Sequence, residues 1–585
     1  MLKPVKKLLF PVLLGAILTF FCCTQKNSSH KADLFFENGV IYTADKNDEI
    51  VQTLAVKDSV IVFAGSAEEG KPYKEGAKEV IDLKGGMLLP GFIDGHIHTI
   101  TPAFFDFVLL TDTDVSSVLQ TITKYIKENP NQEVYYGFGF NLGIFKGEEL
   151  EKGPKKERLD EICSDKPVII YALDGHSVWM NSKGFEYCKI SKNTVPPVGG
   201  EIVKNNLTGE LWGSVHNSAM ALVPDPVLSP DKLSKALQQF QSMLNSLGYT
   251  SIMTLPGNDY LKVYWEGYHQ LEQAGLLTLR VRGASIITPY NFKENLADIK
   301  ELRNKYNSDL VKLTAAKIFA DGILGGKSAY LLQPYYHSSS RGEAIWKQDD
   351  LNNAYATLNK EGFQVHTHAI GDAAVRMALD AAEYAKRTAP GLDCRNVITH
   401  IQLADSSDFP RFKDLNVIPV LQPYWHFKQP GGWMPIEYAV LGERAETEYP
   451  LKSLADKGAM LVFSSDFPVT NVPNPFYAIE IGVTRNLPDA AAYGAPKDIA
   501  DMDDPTYLLN PKERLDVKSM IRGYTANAAY SIFADKETGT LETGKSADMI
   551  VIDQNLFSID PLKISDTKVL RTYFKGKLVY KTDKQ

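Results

Sequence analysis

The chain of 585 residues carries a net charge of −8, and 44% of its residues are hydrophobic and 23% charged. This composition is typical of a globular protein long enough for one large domain and a smaller one. The mildly acidic charge and the absence of a long basic run argue against nucleic acid as a partner.

The first 23 residues have the pattern of an export signal. Three lysines precede an apolar run over residues 8–23, which is short for a membrane span and suits a signal-peptide core. Two cysteines end the run and predict a bacterial lipoprotein, with the lipid on Cys22 or Cys23. We therefore expect an exported protein of the periplasm or cell envelope, attached to the membrane through this lipid. The alternative is an uncleaved apolar anchor, which would also place the protein outside the cytoplasm.

Both ends of the remaining chain are rich in short strand patterns. Residues 33–43 read as two strands around an Asn-Gly turn, a strong hairpin pattern. Residues 547–553 read as a strand and residues 573–580 as a second hairpin. We predict that residues 32–88 and 536–585 pair into one small β-sandwich domain. The alternative is two independent β-appendages, each of which would be marginally stable in water.

Between these ends, apolar strand patterns alternate with helical stretches, which indicates βα units around a parallel sheet. Eight strands are predicted: Met87–His96, Tyr249–Leu255, Leu277–Ala284, Leu313–Ala320, Phe363–Ala369, Val397–Gln402, Val417–Gln422 and Met460–Asp466. Eight such units predict an α/β fold, a (β/α)8 TIM barrel over residues 89–535, with its active site at the carboxyl ends of the strands. Residues 99–247 form an insertion after strand one, with a strand of its own over residues 167–173, and we expect it to cover the barrel mouth.

The first predicted strand ends in two histidines, His96 and His98. Side chains two residues apart on a strand point to the same side, and neutral imidazole is a good ligand for zinc and similar metals. A metal site at the barrel mouth is therefore the first hypothesis. The alternative is a pair of strand-end histidines satisfied by hydrogen bonds.

Further polar residues recur at the predicted strand ends. Strand four carries Lys317 among apolar neighbours, which is costly unless the lysine is neutralised or paired. Strands five, six and eight end in His368, His400 and Asp466. His366 lies on the same predicted face as His368, which we favour because it begins a His-Ala-Ile-Gly-Asp run. In a chain with 11 histidines, coincidence is a poor explanation for this recurrence.

These segments resemble the metal-dependent amidohydrolase superfamily, in particular amidohydrolase family 3. The similar segments span nearly the whole chain after the signal: residues 90–98, 317–322, 368–372, 399–402, 465–468 and 539–548. The chain departs from the family pattern at Thr399, where an acid is usual, and at Lys327, where an arginine is usual. Both departures leave the substrate preference open.

The resemblance implies a site with one or two divalent metal ions, zinc being the expected metal. It implies six metal ligands: His96, His98, Lys317, His368, His400 and Asp466. The first two histidines would bind one ion and the other two the second. Lys317 would be carboxylated by carbon dioxide and bridge both ions, and its alternative is an ion pair with Asp321 or Asp466. Asp466 would also touch the first ion and move protons.

The predicted function is hydrolysis of a non-peptide carbon–nitrogen bond of a small molecule, such as an amide, a cyclic amide or an N-acyl group. A bound ion lowers the pKa of its water from ~15.7 to about 7. Asp466 would take the proton of the attacking water and give it to the leaving nitrogen. The alternatives are an ester or phosphoester hydrolase on the same site and a non-catalytic ligand-binding lipoprotein.

Candidate substrate contacts follow the predicted strand ends: His176 of the insertion, Tyr424 and Trp425 after strand seven, and Arg485 after strand eight. Aromatic side chains at a barrel mouth suit an apolar pocket with a few polar contacts. Arg485 would pair a substrate carboxylate or brace Asp372. For each of these residues, packing of its loop is the alternative. The sequence does not indicate an oligomeric state.

Overall fold

A computed structural model of the protein describes residues 31–582, apart from 100–103, 110, 111, 113, 174, 198, 225, 227–229 and 256–262. The predicted signal and its cysteines lie outside these described residues. Within them, none of the helices combines the length and the apolar composition that a membrane crossing requires.

The described residues contain 24 strands, which belong to four sheets. In chain order these are β1 (Leu34–Glu37), β2 (Val40–Tyr42), β3 (Ile50–Val51), β4 (Thr53–Lys57), β5 (Val60–Gly65), β6 (Glu79–Asp82), β7 (Met87–Pro90), β8 (Phe92–Ile97), β9 (Phe107–Val108), β10 (Tyr135–Phe140), β11 (Val168–Ala172), β12 (Ser177–Met180), β13 (Gly200–Lys204), β14 (Leu211–Asn217), β15 (Tyr249–Thr254), β16 (Arg280–Ile286), β17 (Val311–Phe319), β18 (Gln364–Ala369), β19 (Val397–His400), β20 (Ile418–Leu421), β21 (Val462–Phe463), β22 (Met549–Ile552), β23 (Val569–Phe574) and β24 (Lys577–Lys581).

The same part of the chain contains 17 α-helices, most of which follow the strands of the largest sheet. They are α1 (Ala67–Glu75), α2 (Val115–Glu128), α3 (Glu148–Lys152), α4 (Glu157–Asp160), α5 (Ser182–Tyr187), α6 (Pro230–Ser246), α7 (Val263–Gln273), α8 (Phe292–Lys305), α9 (Gln348–Lys360), α10 (Asp372–Thr388), α11 (Phe409–Leu415), α12 (Ala439–Leu441), α13 (Leu451–Asp456), α14 (Pro475–Thr484), α15 (Ala490–Tyr493), α16 (Val517–Tyr524) and α17 (Ala526–Ser531).

The largest sheet is a barrel of eight parallel strands, β8 and β15 to β21, each paired with the next in chain order. Two backbone hydrogen bonds close it between the first and last strands. Asp466 N donates to His96 O and His98 N donates to Phe467 O, both at 2.9 Å. Apolar side chains fill its interior and pack on α17. The predicted (β/α)8 TIM barrel is thus confirmed.

The first predicted strand, Met87–His96, is in fact two strands that belong to different sheets. β7 pairs with β22, whereas β8 begins the barrel. The break falls at Gly91, whose N–H donates to Asp548 O at 2.9 Å. A Cβ at Gly91 would lie 2.4 Å from the Thr250 side chain, so only a residue without a side chain fits where the chain crosses from one sheet to the other.

The predicted hairpin around Asn38-Gly39 is wrong, because β1 and β2 lie in separate sheets. β1 pairs with β4 and β6, while β2 pairs with β3 and β7. Asn38 has a positive φ of 60°, and the turn carries the chain across a shared apolar core instead of back along one sheet. An Asn-Gly sequence is compatible both with a hairpin turn within one sheet and with a turn that crosses between two sheets. The second predicted hairpin, β23 with β24, is confirmed.

Strands from both ends of the chain meet in one sheet, in the order β24-β23-β22-β7-β2-β3. A four-stranded sheet, β5-β4-β1-β6, packs against it through a common cluster of apolar side chains. The domain borders given above stay predictions, but the pairing of β22 with β7 explains why residues far apart in sequence form one layer.

The insertion after the first barrel strand holds a six-stranded sheet, β13-β14-β12-β11-β10-β9. One face of this sheet contributes Phe138 and Tyr171 to the main core, where Phe240 of α6 also lies. The other face packs Phe140 and Trp179 on α2 in a core of its own. The turn between β11 and β12 carries His176 toward the barrel mouth, where its charge lowers the pKa of His368.

Candidate active site

Three predicted ligands meet at the closing seam of the barrel. Asp466 Oδ1 lies 3.2 Å from His96 Nε2 and 3.0 Å from His98 Nε2. Among the described residues, these three are the group whose ligating atoms all lie within 4.8 Å of one another. Two imidazoles and one carboxylate converging on a point form a set of donors that suits a divalent metal ion.

Hydrogen bonds to the protein orient two of the predicted histidine ligands, His98 and His400. His98 Nδ1 donates to Leu255 O at 2.6 Å, and His400 Nδ1 donates to Gln422 Oε1 at 3.0 Å. Since each acceptor is a carbonyl oxygen, the proton is on Nδ1 and the lone pair is on Nε2. Partners of this kind fix the tautomer and the ring orientation of metal-binding histidines.

His368 and His400 form a second pair beside the first. Their ring centroids are 4.6 Å apart, and His400 is 5.2 Å from His96 by the same measure. His368 Nε2 donates to Gly322 O at 3.2 Å, which leaves Nδ1 with the lone pair. The barrel therefore brings all four predicted histidines together, with the seam triad arranged most tightly.

The imidazoles of His96, His368 and His400 are buried, and burial keeps them neutral. It lowers the pKa of His96 and His400 well below the usual value, and it lowers that of His368 to about 3, with the nearby charge of Lys317 adding to the effect. Neutral imidazole is the form that binds metal. The histidines are thus held ready as ligands.

Lys317 lies on β17 beside these histidines, and its side chain is buried. Burial lowers its pKa to about 7, while Asp466 raises it by a smaller amount. Nζ lies 4.8 Å from the centre of the Phe319 ring. The predicted alternative of a pair with Asp321 is not formed, because that carboxylate accepts the backbone N–H groups of residues 330, 370 and 371.

Asp466 stands at a strained position of the backbone, with a φ of 52°, and His400 has a φ of 76°. Positive φ is unfavourable for residues other than glycine and is concentrated at functional sites. Burial raises the pKa of Asp466, but the interactions with His98, His400 and Lys317 outweigh burial and leave the pKa lowered. The carboxylate is therefore ionised at neutral pH.

The buried polar atoms of the seam fit a metal ion. His96 Nε2 and Asp466 Oδ1 are both buried and form no hydrogen bond within the described residues. Buried polar groups without partners are rare in folded proteins, and a cation between them would satisfy both atoms. The residues present therefore fit a divalent metal ion.

Comparison with known proteins decides the family. Residues 79–580 match the Amidohydrolase family over most of the chain. The chain belongs to the amidohydrolase family. It is accordingly a metal-dependent hydrolase of carbon–nitrogen bonds.

Similar proteins cover nearly all of this amidohydrolase. A protein of Bacillus subtilis (strain 168) named as an amidohydrolase, YtcJ, is 28% identical over 558 residues, which are 93% of this chain and 99% of the relative. The N-substituted formamide deformylase of Arthrobacter pascens is 24% identical over 572 residues, 94% and 98% of the two chains. The crystal structure of an uncharacterized metal-dependent hydrolase from Pyrococcus horikoshii OT3 has a TM-score of 0.68 at 22% identity, covering 90% and 99%.

Three residues of the amidohydrolase site were not predicted as site residues from the sequence. His366 Nε2 lies 2.9 Å from His96 Nδ1. Gln422 holds His400 and donates to Ser464 Oγ at 2.8 Å. Asp94 accepts His96 N and Ser465 N, each at 3.1 Å. His366 lies two residues before His368 and therefore on the same face of the strand, so this spacing could have identified it as a site residue.

The predicted substrate contacts divide into two groups. Trp425 stacks on His400 with ring centroids 5.9 Å apart, and half-buried His176 approaches the cluster from the insertion. Tyr424, however, is fully buried with its hydroxyl 3.4 Å from that of Tyr249. Tyr424 therefore packs on Tyr249 inside the protein, and its role as a substrate contact stays a prediction.

The guanidinium of Arg485 is held by the protein itself. Its side chain is fully buried and donates to the carbonyl oxygens of Leu509, Tyr449 and Glu448 at 3.0, 3.2 and 3.1 Å. It does not brace Asp372, whose carboxylate accepts backbone N–H groups, and a contact with substrate stays a prediction. The sequence shows that an arginine follows strand eight, but not which way the side chain turns.

Proposed function

We propose that this protein is an exported hydrolase that cleaves a non-peptide carbon–nitrogen bond of an amide, a cyclic amide or an N-acyl compound, with Asp466 as the proton shuttle. The observation that carries the proposal is the seam triad, His96, His98 and Asp466, whose ligating atoms lie within 4.8 Å of one another. Likeness to an N-substituted formamide deformylase along the whole chain supports an N-acyl substrate.

Zinc is the proposed ion, held by the seam triad, with His368, His400 and Lys317 available to a second ion. Bound there, it would supply Lewis acidity, lowering the pKa of a water from ~15.7 to about 7 and polarising a substrate carbonyl. Asp466 faces the histidines with Oδ1. Oδ2 would accept a proton from the attacking water and pass it to the leaving nitrogen, so that the C–N bond breaks to give a carboxylic acid and an amine.

We further propose that Lys317 is carboxylated. A pKa of about 7 leaves much of the amine neutral at physiological pH, and neutral amine is the form that adds to carbon dioxide. The addition joins Nζ to the carbon and releases one proton. The product is an anion, which removes the unfavourable burial of a cation beside four histidines.

Metal content and a substrate screen test the hydrolase proposal. We expect at least one equivalent of zinc by plasma mass spectrometry and turnover of an amide, hydantoin or N-formyl amine but not of the matched ester. Asp466→Asn should lower kcat by about 10²–10⁴-fold, the usual contribution of an acid–base group. Asp498→Asn, outside the site, is the matched control. Hydrolysis that survives both Asp466→Asn and His96→Ala would contradict the mechanism.

Export is proposed from residues 1–23 and is tested separately. Expression of the full chain in a bacterial host should place the protein in the envelope fraction, with a lipid on Cys22 or Cys23 found by mass spectrometry. Recovery of the uncleaved chain in the cytoplasmic fraction would refute this part of the proposal without affecting the hydrolase site.

A further inference from the structure

A second group of unsatisfied buried polar atoms lies next to the metal-binding cluster. In the described residues, five buried atoms of one short segment have no hydrogen-bond partner: His426 Nδ1 and Nε2, Trp433 Nε1, Glu437 Oε2 and Glu448 Oε2. Native proteins satisfy nearly all such groups. At the seam the same feature marks the place that suits a metal ion, so this second group also indicates a place for a ligand.

Short connections join this segment to the metal-binding histidines. Gln402, two residues after His400, donates to Glu448 Oε1 at 2.8 Å, and its carbonyl accepts Tyr449 N at 2.9 Å. On the other side, His426 directly follows Trp425, which stacks on His400. The group therefore lies beside the mouth, next to barrel strands β19 and β20.

The imidazole of His426 lies against Tyr449, the residue that follows Glu448. Its ring stacks on that of Tyr449, with centroids 4.3 Å apart and an angle of 19°. Burial lowers the pKa of His426 well below the usual value, so the ring is neutral and one nitrogen offers a lone pair. His426 is fully buried, and both nitrogens are unpaired.

Burial disfavours negative charge on both acids of the group, because it raises the pKa of Glu437 and of Glu448. Burial raises the pKa of Glu448 well above its usual value, and the charge of Glu437 adds to the effect. Arg485 and Lys428 are nearby cations, but the guanidinium donates to three backbone carbonyls and Lys428 pairs with Glu446 at 2.7 Å. A cationic group bound between the two acids would offset the effect of burial and favour their ionised forms.

We infer that Glu437, Glu448 and His426 form a substrate subsite for a cationic nitrogen group, an ammonium or a guanidinium, with Gln402 holding Glu448 in place. Such a group carries several N–H donors, and the subsite offers two carboxylate oxygens and an imidazole nitrogen as acceptors. A metal ion fits less well, because these residues do not form a group of ligating atoms within 4.8 Å among the described residues. The inference rests on the proposed function, of which it names the substrate class: an N-acyl compound with a cationic nitrogen.

Binding of two matched amides tests the subsite without requiring turnover. N-(4-aminobutyl)acetamide and N-pentylacetamide have similar length, and only the first carries an ammonium. By calorimetry on the full-length protein we expect the cationic amide to bind about 10- to 100-fold more tightly, the range of one charged hydrogen bond. Glu448→Gln and Glu437→Gln should each reduce this preference to less than about threefold.

The control variant is Glu443→Gln, because Glu443 lies on the same segment and its side chain is exposed. It should keep the full preference, and thermal unfolding should show that each variant folds. Equal affinity of the two amides for the parent protein, undetectable binding of both included, would overturn the inference, as would a preference that Glu448→Gln leaves unchanged. A preference that persists after metal removal would support the subsite even if the hydrolase proposal fails.

Discussion

Glu480 provides a test of the electrostatics that join the barrel to the C-terminal part of the chain. It lies on α14, is 1% exposed, and accepts the N–H of Ser565 at 2.7 Å. Burial raises its pKa from 4.5 to about 8. We predict that Glu480→Gln, which keeps the shape and the acceptor but removes the charge, makes the protein more stable at alkaline pH.

The size of the effect follows from the shift in pKa. Each unit corresponds to 1.36 kcal/mol, so the difference between 4.5 and about 8 corresponds to roughly 5 kcal/mol. Because the folded-state pKa is the higher one, this stability is fully present below pH 4.5 and is lost as the pH rises through about 8. The Glu480→Gln variant avoids this loss, so its free energy of unfolding should exceed that of the parent most at pH 8 and above.

Thermal unfolding at pH 5 and pH 8.5 measures the effect. At about 2.1 cal/mol/K per residue, 585 residues have an unfolding entropy of roughly 1.2 kcal/mol/K, so roughly 5 kcal/mol raises Tm by about 4 °C. We expect this gain for Glu480→Gln at pH 8.5, little gain at pH 5, and none for the exposed control Glu294→Gln. A variant whose Tm follows the parent at both pH values would refute the reasoning.

Three further predictions concern the site and its support. Chelation should lower hydrolysis at least about 100-fold and added zinc should restore it; full activity in protein shown to be metal-free would count against a metal enzyme. Gln422→Leu should weaken binding of the second zinc ion by about 10- to 100-fold in a competition titration, because His400 Nδ1 loses its acceptor, and unchanged affinity for that ion would mean that Gln422 does not orient the ligand. Arg485→Met should destabilise the fold by about 3–5 kcal/mol, since three buried carbonyls lose a charged donor, and a Tm within a degree of the parent would contradict that role.

The sequence predicted the barrel well because each βα unit is a local pattern. Strand positions such as β15 and β18 were found from apolar runs alone, and the ends of those runs carried the histidines and Asp466. The parallel arrangement then brings those ends to one mouth. The sequence therefore predicts two kinds of feature. One is the side chains that share a face because they lie two residues apart on a strand, and the other is the strand ends that meet because the strands are parallel.

The remaining features depend on contacts between distant segments. A run such as Met87–His96 does not reveal that it divides at Gly91, because the cause is Thr250 and the C-terminal strand beside it. Arg485 and Tyr424 lie at the predicted positions in the chain, but their side chains turn into the protein, which spacing after a strand does not determine. The acidic group around Glu448 was missed because its members have no pattern in sequence.

The two hydrogen bonds that join His96 to Asp466 and His98 to Phe467 lie where the first and last strands of the barrel meet. Because the proposed ligands lie at the ends of both strands, a bound ion would hold the two strands together in addition to its role in catalysis. Once the ion is stripped, deuterium uptake should rise first at residues 96–98 and 466–467, well before β17 or β18 loosens. Loss of the ion would therefore loosen the barrel first between its first and last strands, β8 and β21.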